Sequence, residues 1–493
     1  MDPSENQAPT PLSREQLERL DKSALIELVL VLFAEIATLR AEVRELRARL
    51  ETNSGNSSVP PSADSPKSKA EQKKARQEKR KKRKRDKRRK RGGQPGHVGH
   101  FRKPPEKADH TDTILPPECF HCRAPLDEAS IDPDVEPVRH FTYELVDKPV
   151  EVTEHRCPIC RCSRCGRTSQ AQLPPELRKS TLGPRLTGVG LFLRGGLQSS
   201  TRDVVEFFST VFDTPISLGT VSNVEGRFTA ALEGPYREAL DALKIAKMLN
   251  VDETSWYEES NRKVIWIATN GELTVYRIDS SKGREALHKL IGLDFRGIVG
   301  SDRAKAYDGL TPDQRQVCWS HLDRNYQKLY DTSEEGRRLA AKALAEIDTL
   351  FTIWHEYKRG ELDHGQLAEK LLPVKDGFRK ILDQGMTHRD EHVQEMSRAL
   401  DGIWNALWTF TKHPGVEPTN NAAEREGRPA VTLRKTSLGS QSERGSRFVE
   451  RFLTAVHTLK KQGRSVFDYV VDAVSAAMAD EAAPSFLLPI PDC

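Results

Sequence analysis

The first clear pattern along the chain is a repeat of apolar residues near its N-terminus. Eight apolar residues recur there at alternating spacings of four and three: Leu25, Val29, Leu32, Ile36, Leu39, Val43, Leu46 and Leu50. This spacing matches the a/d seam of a coiled coil over about four heptads, and it predicts a coiled-coil helix over residues 14–50. An amphipathic helix packed on its own core would show a similar pattern. We favour an oligomerising helix because no core-forming element follows nearby.

Short strands replace the helical periodicity between residues 246 and 322. KMLNVDE, KVIWIATN and LTVYRID predict three strands, and a helix follows around Lys282–Ile291. RGIVGSD predicts a fourth strand and RQVCWSHL a fifth, which contains Cys318. This order of strands and helices is the element order of the ribonuclease H fold. We therefore expect residues 246–322 to form the first part of a ribonuclease-H-like core.

The segments on either side of these strands predict helices. Residues 184–245 have a helical pattern, and a candidate helix-turn-helix for DNA binding spans Thr201–Phe228. An ordinary helical pair that packs on the next domain would explain this pattern equally well. Residues 323–411 are almost purely helical, and residues 412–480 are mainly helical. The first of these segments reads as a helical insertion and the second as the C-terminal helices of the core.

The segment between the coiled coil and the cysteines is strongly basic. Residues 67–91 contain 17 Lys or Arg and three acidic residues, a net charge of +14, whereas the whole chain carries only +5. Such a block indicates a polyanionic partner, most simply nucleic acid. We predict that residues 51–111 are a flexible Ser- and Pro-rich linker with a basic run. Its contacts would be with backbone phosphates, without sequence specificity, through residues that include Lys81, Arg83, Arg85, Arg88 and Arg89.

Residues 112–175 form a cysteine-rich module that predicts a zinc site. Cys119 and Cys122 make one C-x-x-C unit, and Cys162 and Cys165 make another about forty residues later. Four thiolates at this spacing can close a tetrahedral structural site for one zinc ion. The predicted fold class is thus multidomain α+β: a ribonuclease-H-like mixed α/β core with a helical insertion, a zinc-binding module and an N-terminal coiled coil.

The choice of zinc ligands leaves alternatives open. Cys157 and Cys160 make a third C-x-x-C unit, and we prefer the later pair because Gly166 supplies the tight turn after it. His121 and His155 are candidate substitute ligands, and reduced thiols without metal are the plain alternative. The chain contains eight cysteines in total. In an intracellular protein of this size they indicate metal ligands or free thiols and not disulfides.

The N-terminal sequence and the apolar segments bear on the compartment. MDPSENQAPT has neither a basic region nor an apolar core, so it does not predict a secretory signal. The longest apolar stretch, Ala24–Ala34, is about half the length of a membrane span and contains Glu27. We therefore expect a soluble, cytoplasmic protein that has no membrane partner.

Two aspartates are expected at the ends of neighbouring predicted strands. Asp252 is expected at the end of the first strand and Asp302 at the end of the fourth. In the ribonuclease H sheet these strands are neighbours, about 4.8 Å apart. Two carboxylates there can hold a pair of divalent ions for in-line phosphoryl transfer, and magnesium suits such all-oxygen ligation. A single Asp at a strand end would be an ordinary turn residue.

These motifs together resemble one family over nearly the whole chain. The chain resembles the transposases of the insertion-sequence-66 family, which are of the DDE type. The resemblance is carried by the leucine-zipper-like N-terminus, the cysteine module and seven short segments: NSSVPPSAD (56–64), GGQPGHVGH (92–100), TEHR (153–156), VDETSWY (251–257), SDRAKAYDGL (301–310), CWSHLDR (318–324) and TNNAAEREGRP (419–429).

The resemblance implies a third carboxylate and a metal requirement. It assigns Glu424 as the partner of Asp252 and Asp302, with two Mg²⁺ or Mn²⁺ ions held among them. At position 426 a small or apolar residue is expected, but the chain has a second glutamate. Glu426 is therefore a rival for Glu424. Arg303 replaces the more usual Gly beside Asp302.

The resemblance also implies partners. Terminal repeats of the element and target DNA would be bound, cleaved and joined by a homodimer or higher oligomer in the bacterial cytoplasm, associated with the nucleoid. Accessory proteins of the same element are candidate partners. Phosphate contacts are expected from Arg425, Arg428, Arg434 and Lys435, with helix-surface charge as the plain alternative. His321 would touch the scissile phosphate or be a structural histidine. A non-catalytic DNA-binding regulator, or a decayed transposase remnant, is the alternative function.

Overall fold

The computed structural model describes residues 180–487 without a break, most of residues 107–178, and Asp21, Val31 and Glu35. The basic run, Cys162 and nearly all of the predicted coiled coil lie outside the described residues, so the statements about them stay predictions. The described residues divide into two compact units. One contains residues within 177–201 and 219–487, and the other contains residues within 107–174 and 202–218. None of the described helices is both long enough and apolar enough to span a membrane.

The cysteine module contains a short antiparallel hairpin. Strand β1 is Ile159–Arg161 and strand β2 is Thr168–Gln170, with Cys160 opposite Ser169. The Gln170 side-chain amide donates to the Cys157 carbonyl at 3.0 Å, which ties the second strand to the start of the first.

Four helices precede the main sheet. They are α1 (Pro184–Leu191), α2 (Thr201–Phe212), α3 (Leu218–Ala231) and α4 (Glu233–Lys244). A π-helical turn, Phe192–Gly196, extends α1, and Pro184 begins that helix, where its missing N–H costs nothing. Helices α2 and α3 cover the segment in which a helix-turn-helix is predicted, and a DNA-reading role for them stays a prediction.

The main sheet has five strands and is mixed. Its elements in chain order are β3 (Met248–Glu258), β4 (Asn261–Thr269), β5 (Thr274–Asp279), helix α5 (Arg284–Ile291), β6 (Ile298–Ser301) and β7 (Arg315–Val317). Across the sheet the order is β5-β4-β3-β6-β7. The first three strands are antiparallel, and β6 and β7 run parallel to β3. The sheet and the many helices agree with the mixed α/β fold that the sequence predicts.

Two strand boundaries differ from the expectation. Asp252 does not end the first strand but lies inside it, because the hairpin with β4 continues to Glu258. The fifth strand stops at Val317, so the expectation that it contains Cys318 is wrong. The N–H of Cys318 still bonds to the Ser301 carbonyl at 2.9 Å, but the N–H of Trp319 turns to the Pro418 carbonyl and a helix begins.

Ten helices of the described chain follow the sheet. They are α6 (Trp319–Thr332), α7 (Arg337–Lys358), α8 (His364–Lys370), α9 (Leu372–Met386), α10 (Glu391–Asp401), α11 (Trp404–Leu407), α12 (Thr409–Lys412), α13 (Asn421–Ser437), α14 (Glu443–Lys461) and α15 (Val466–Ala479). The helical character expected for residues 323–411 and 412–480 is therefore present.

Both faces of the sheet are buried. Leu249, Val251 and Trp266 belong to a core that also includes residues of α3, α4, α5, α14 and α15. Ile265 and Ile267 point to the opposite face, where Ala430 of α13 and two residues of α14 pack. Successive residues of β4 thus enter different cores, as the two-residue period of a strand requires. The helices α13 and α14 are held on the sheet by this burial.

The helices of residues 323–411, the predicted insertion, have an aromatic core of their own, which is joined to the sheet edge through Trp319. The Trp319 ring lies 5.0 Å from the rings of Phe378 and Trp408, and its indole N–H donates to the Leu407 carbonyl at 2.7 Å. Fully burying each aromatic side chain contributes about 1.5–3 kcal/mol. Since Trp319 begins α6 directly after β7, this packing fixes the start of α6 against the end of the sheet.

Candidate active site

Asp252 and Asp302 are brought together by the parallel pairing of β3 and β6. The last registered pair is Asn250 with Gly300, and each aspartate lies two residues beyond it, Asp252 within β3 and Asp302 immediately after the end of β6. Neighbouring strands are about 4.8 Å apart, which brings the two carboxylates side by side. The Asp302 carboxylate also accepts the N–H of Ala304 at 2.9 Å, which closes a local turn and orients the side chain.

Glu424 reaches the same place from helix α13. It lies in the first turn of that helix, and α13 packs against β3 and β4. Asn420, the residue before α13, is fully buried and anchors the start of the helix. Its side-chain amide donates to the Val251 carbonyl at 2.7 Å, and its backbone N–H donates to Cys318 Sγ at 3.2 Å. Asn420 therefore positions the first turn of α13 directly beside Asp252.

The charges of these acids act on one another. Burial, and then the charges of Glu253, Asp302 and Glu424, raise the pKa of Asp252 well above its usual range. Burial and the charge of Asp302 raise the pKa of Glu253 to about 7, although Lys282 and a hydrogen bond from the Tyr307 hydroxyl at 3.1 Å oppose this. A bound cation would relieve the repulsion between the charges of such a dense group of carboxylates.

Two cationic or protonatable side chains border Glu424. His321 Nδ1 lies 3.6 Å and Arg324 Nη2 lies 3.4 Å from Glu424 Oε1. Burial and the Arg324 charge lower the pKa of His321, although Glu424 opposes them. His321 therefore favours the neutral imidazole at this position, and Arg324 is the charge that partly balances Glu424.

Glu426 faces a different part of the molecule. Its carboxylate accepts from His457 Nδ1 at 2.5 Å and from Lys461 Nζ at 3.2 Å, both on α14. Its backbone carbonyl accepts the Tyr276 hydroxyl at 2.7 Å. Burial acts to raise the pKa of Glu426, but His457 and Lys461 together outweigh it and hold this pKa below its usual range. Of the two rival glutamates, Glu424 is the one beside the aspartates.

A cationic groove lies between α13 and α14. It encloses about 320 Å³, and its lining includes Arg425 and Arg428 of α13, Lys460 of α14, and Gln198. Within the described chain none of these three cations makes an ion pair. Arg425 follows Glu424 in the chain, and the lining also includes His457, the partner of Glu426. Lys460 was not expected from the sequence, since no motif marks it.

Arg434 has a different environment from Arg425 and Arg428. Its Nη1 donates to the Ser255 carbonyl at 2.6 Å and to the Thr254 hydroxyl at 3.1 Å on β3. This guanidinium ties the second half of α13 to the sheet. Lys435 follows it at the exposed end of the helix.

The cysteine module is only partly described. Hydrogen bonds from the backbone N–H groups of Cys122 and His121 lower the pKa of Cys119, as the turn of a metal knuckle would. Among the described residues, Cys119, Cys122 and Cys165 do not bring their sulfur atoms within 4.8 Å of one another as a set of three. The zinc assignment, which also needs Cys162, stays a prediction.

Comparison with known proteins identifies a family. The family model described as "Transposase IS66 family" matches residues 204–448. That range contains the whole sheet, both aspartates and Glu424. The chain belongs to the IS66 family of transposases through this half of its length. A second model, a family of unknown function called DUF6444, matches residues 3–103.

Two curated relatives come from Sinorhizobium fredii (strain NBRC 101917 / NGR234). Uncharacterized protein y4hP is 25% identical over 357 residues, which is 65% of this chain and 64% of that protein. Uncharacterized protein y4qI is 24% identical over 219 residues, which is 41% of this chain and 40% of that protein. The chain thus spans less than two thirds of the length of either relative.

Proposed function

We propose that this protein is a DNA transposase that cleaves and joins DNA strands with Asp252, Asp302 and Glu424. The observation that carries the proposal is the convergence of three carboxylates, from β3, from the residue after β6 and from α13. Burial, and then the charges of Glu253, Asp302 and Glu424, raise the pKa of Asp252. Within a family of transposases, such a cluster is best explained as the site of phosphoryl transfer. The strand order β5-β4-β3-β6-β7 supports a ribonuclease-H-like core as its scaffold.

The carboxylates fit divalent cations. They supply the oxygen ligands that Mg²⁺ or Mn²⁺ prefers, and their charges meet with few balancing cations nearby. When bound, two such ions would stabilise the attacking and leaving oxygens of an in-line displacement at phosphorus. The protein's own contribution is to orient the acids: Asn420 anchors Glu424, and the Ala304 N–H and strand pairing orient Asp302. Neutral His321 and charged Arg324 are placed to contact a phosphate beside Glu424.

The DNA is proposed to enter along the cationic groove. Arg425, Arg428 and Lys460 line a groove between α13 and α14, the helix that carries Glu424 being α13, and phosphate oxygens are the natural partners of these cations. Arg434 is left out of this set because its contacts are with β3. The basic run at residues 67–91 would add contacts without sequence specificity. Element ends, target DNA and an oligomer that holds two cores are part of the proposal.

The test is strand cleavage by three variants of the full chain. Asp252→Asn, Asp302→Asn and Glu424→Gln should each lower magnesium-dependent cleavage of DNA carrying the element's ends by on the order of a thousandfold or more, equivalent to about 4 kcal/mol. DNA binding, measured by gel shift, should persist because the removed charges are negative. Asp313→Asn serves as the matched control, since Asp313 is an exposed acid paired with Lys412 at 3.2 Å.

The outcomes separate the two classes of function. Cleavage by the wild type that survives in all three variants would overturn the carboxylate assignment. A wild type that binds the element's ends but never cuts, in magnesium or manganese, would favour a non-catalytic DNA-binding regulator or a decayed transposase.

A further inference from the structure

A second set of metal ligands lies next to the proposed catalytic carboxylates. Cys318, His321 and Glu424 each offer one ligand atom, and the three atoms lie within 4.8 Å of one another. No other set of three His, Cys, Asp or Glu ligand atoms in the described part of the chain is so close. The Cys-x-x-His spacing arises because Cys318 is the N-cap of α6 and His321 lies in its first turn.

Hydrogen bonds with two other segments of the backbone hold Cys318 in place. The Cys318 N–H donates to the Ser301 carbonyl at 2.9 Å, and the Asn420 N–H donates to Cys318 Sγ at 3.2 Å. The bond between Asn420 and Cys318 holds the first turns of α6 and α13 next to each other. Ligands fixed in this way lose little freedom when an ion binds.

The buried imidazole of His321 is a second, independent observation that points to a ligand at this position. His321 Nδ1 is buried and makes no hydrogen bond within the described chain. It lies 3.6 Å from Glu424 Oε1, too far for a hydrogen bond. Two ligands of a tetrahedral zinc ion are separated by about 3.3–3.5 Å, given bond lengths near 2.0–2.2 Å. An ion between the imidazole and the carboxylate would therefore satisfy both groups with little movement.

The ligand chemistry distinguishes this cluster from the aspartate site. Sulfur and imidazole nitrogen select zinc over magnesium, which prefers oxygen alone. We infer that Cys318, His321 and Glu424 form a Zn²⁺ site whose occupation engages the Glu424 carboxylate and withholds it from a metal ion held by Asp252 and Asp302. Binding releases the Cys318 thiol proton to solvent and displaces Arg324 from its 3.4 Å contact with Glu424. Zinc binding stands on the cluster alone, whereas the inhibition that it implies rests on the proposed function.

Zinc stoichiometry of the full-length protein tests the binding. The variants Cys318→Ser and His321→Ala should each hold one zinc ion per chain fewer than the wild type after equilibration with the same zinc buffer. Cys493→Ser is the matched control, because it also removes one thiol. With Co²⁺ as a probe, the Cys318→Ser difference spectrum should show the loss of a thiolate-to-cobalt charge-transfer band. Circular dichroism and thermal unfolding identify a variant that fails to fold, in which case the other variant decides.

The inhibition is measured separately. Cleavage in magnesium should be inhibited by added Zn²⁺, and the half-inhibiting concentration should rise at least about tenfold in Cys318→Ser, with each rate normalised to that variant's own zinc-free rate. Equal zinc content in the wild type and both variants would overturn the site even if the carboxylate variants abolish cleavage. If the variants hold one zinc ion fewer but the wild type never cuts DNA, the zinc site is upheld and the proposed function is overturned instead.

Discussion

At the scale of single residues, the glutamates of α13 show how a helix separates two neighbouring acids. Two residues along an α-helix correspond to a rotation of about 200°, so Glu424 and Glu426 point to opposite sides. Glu424 meets the aspartates, whereas Glu426 meets His457 and Lys461 on α14. The motif alone leaves both glutamates as candidates, because the face that meets the aspartates is decided by how α13 packs on β3 and β4.

The matched substitutions of these glutamates should have different effects. Glu426→Gln should keep magnesium-dependent cleavage within a fewfold of the wild type, but should lower stability by about 1–3 kcal/mol, since it breaks a largely buried ion pair with His457 and Lys461. Glu424→Gln should abolish cleavage but leave the stability of the protein largely unchanged. Cleavage rates and thermal unfolding of both variants are the measurements. A Glu426→Gln protein that is stable but inactive would exchange the two assignments.

The residues that sequence patterns do not reveal are those that act through packing. Asp252, Asp302 and Glu424 stand in recognisable motifs. Asn420 stands in one too, but nothing in TNNAAER distinguishes the residue that bonds to the Val251 carbonyl from its neighbour Asn421. Lys460 enters the cationic groove only because α14 lies against α13. Such roles depend on contacts between segments far apart in the chain, which periodicity does not report.

At the scale of elements, the strands were predicted well and their ends were not. Long alternating or apolar runs such as KVIWIATN leave little choice of structure. The run RQVCWSHL reads as one strand, yet only Arg315–Val317 pairs with β6. An apolar run of that length fits a strand or a helix equally, and the bond from the Trp319 N–H to the Pro418 carbonyl starts the helix. Asp252 was expected at a strand end because the hairpin extension to Glu258 depends on pairing with β4.

The groove between α13 and α14 yields a prediction for DNA affinity. Substituting Arg425, Arg428 and Lys460 together by Gln should weaken binding of the element's ends and reduce the slope of log affinity against log salt by about one for each lost phosphate contact. Lys380→Gln is the matched control, because Lys380 is an exposed cation of α9 outside the groove. Binding isotherms over a range of salt concentrations measure the slope. An unchanged slope in the triple variant would exclude phosphate contact by this groove.

The helical insertion depends on a cap that couples two of its helices. Asp390 caps α10, accepting from the His392 N–H at 2.9 Å and from the Ser333 hydroxyl at 2.6 Å, and Ser333 in turn accepts from the Gly336 N–H at the start of α7. Asp390→Ala should therefore destabilise the insertion by about 0.5–2 kcal/mol at neutral pH. Glu391→Gln, a change in an exposed acid of the first turn, should have little effect.

The same cap has a defined pH dependence. The Ser333 hydroxyl and the N–H groups of Val393 and His392 hold the pKa of Asp390 below its usual range. A carboxyl whose pKa is lower in the folded state stabilises fully above the unfolded pKa of about 3.9, and loses this effect as pH falls through the folded value. Thermal unfolding of the wild type and Asp390→Asn should therefore differ at neutral pH and converge in strong acid. A difference that grows on acidification would contradict this account.

At the scale of the whole molecule, the charge is divided between the segments. Residues 67–91 carry +14, and the rest of the chain carries −9. An acidic body repels DNA at long range, so the basic run and the cationic groove would have to bring DNA to the carboxylates together. The wide separation of Asp302 from Glu424 along the chain is spanned by the helical insertion. Its own core, around Trp319 and Phe378, allows so long an insertion without disturbing the sheet.

The pairing of two cores is predicted to come from the N-terminal heptads. The seam from Leu25 to Leu50 has eight a/d positions, each contributing about 1.5–3 kcal/mol if fully buried, which exceeds the cost of associating two helices. A peptide of residues 1–60 should therefore be helical and dimeric by analytical ultracentrifugation. Lys in place of both Leu32 and Leu39 should make it monomeric and unfolded, because two charges would enter the seam.

The control for this prediction places the same charges outside the seam. Thr38 and Ala41 fall between the a/d positions, so Thr38→Lys with Ala41→Lys adds two positive charges to the outer face of the helix and should leave the dimer intact. In the full chain the seam variant should sediment as a monomer in the absence of DNA, and the outer-face variant should remain a dimer. If the 1–60 peptide stays monomeric at high concentration, the heptads do not pair the cores. Two element ends would then have to be held together by contacts of the catalytic body or by the DNA itself.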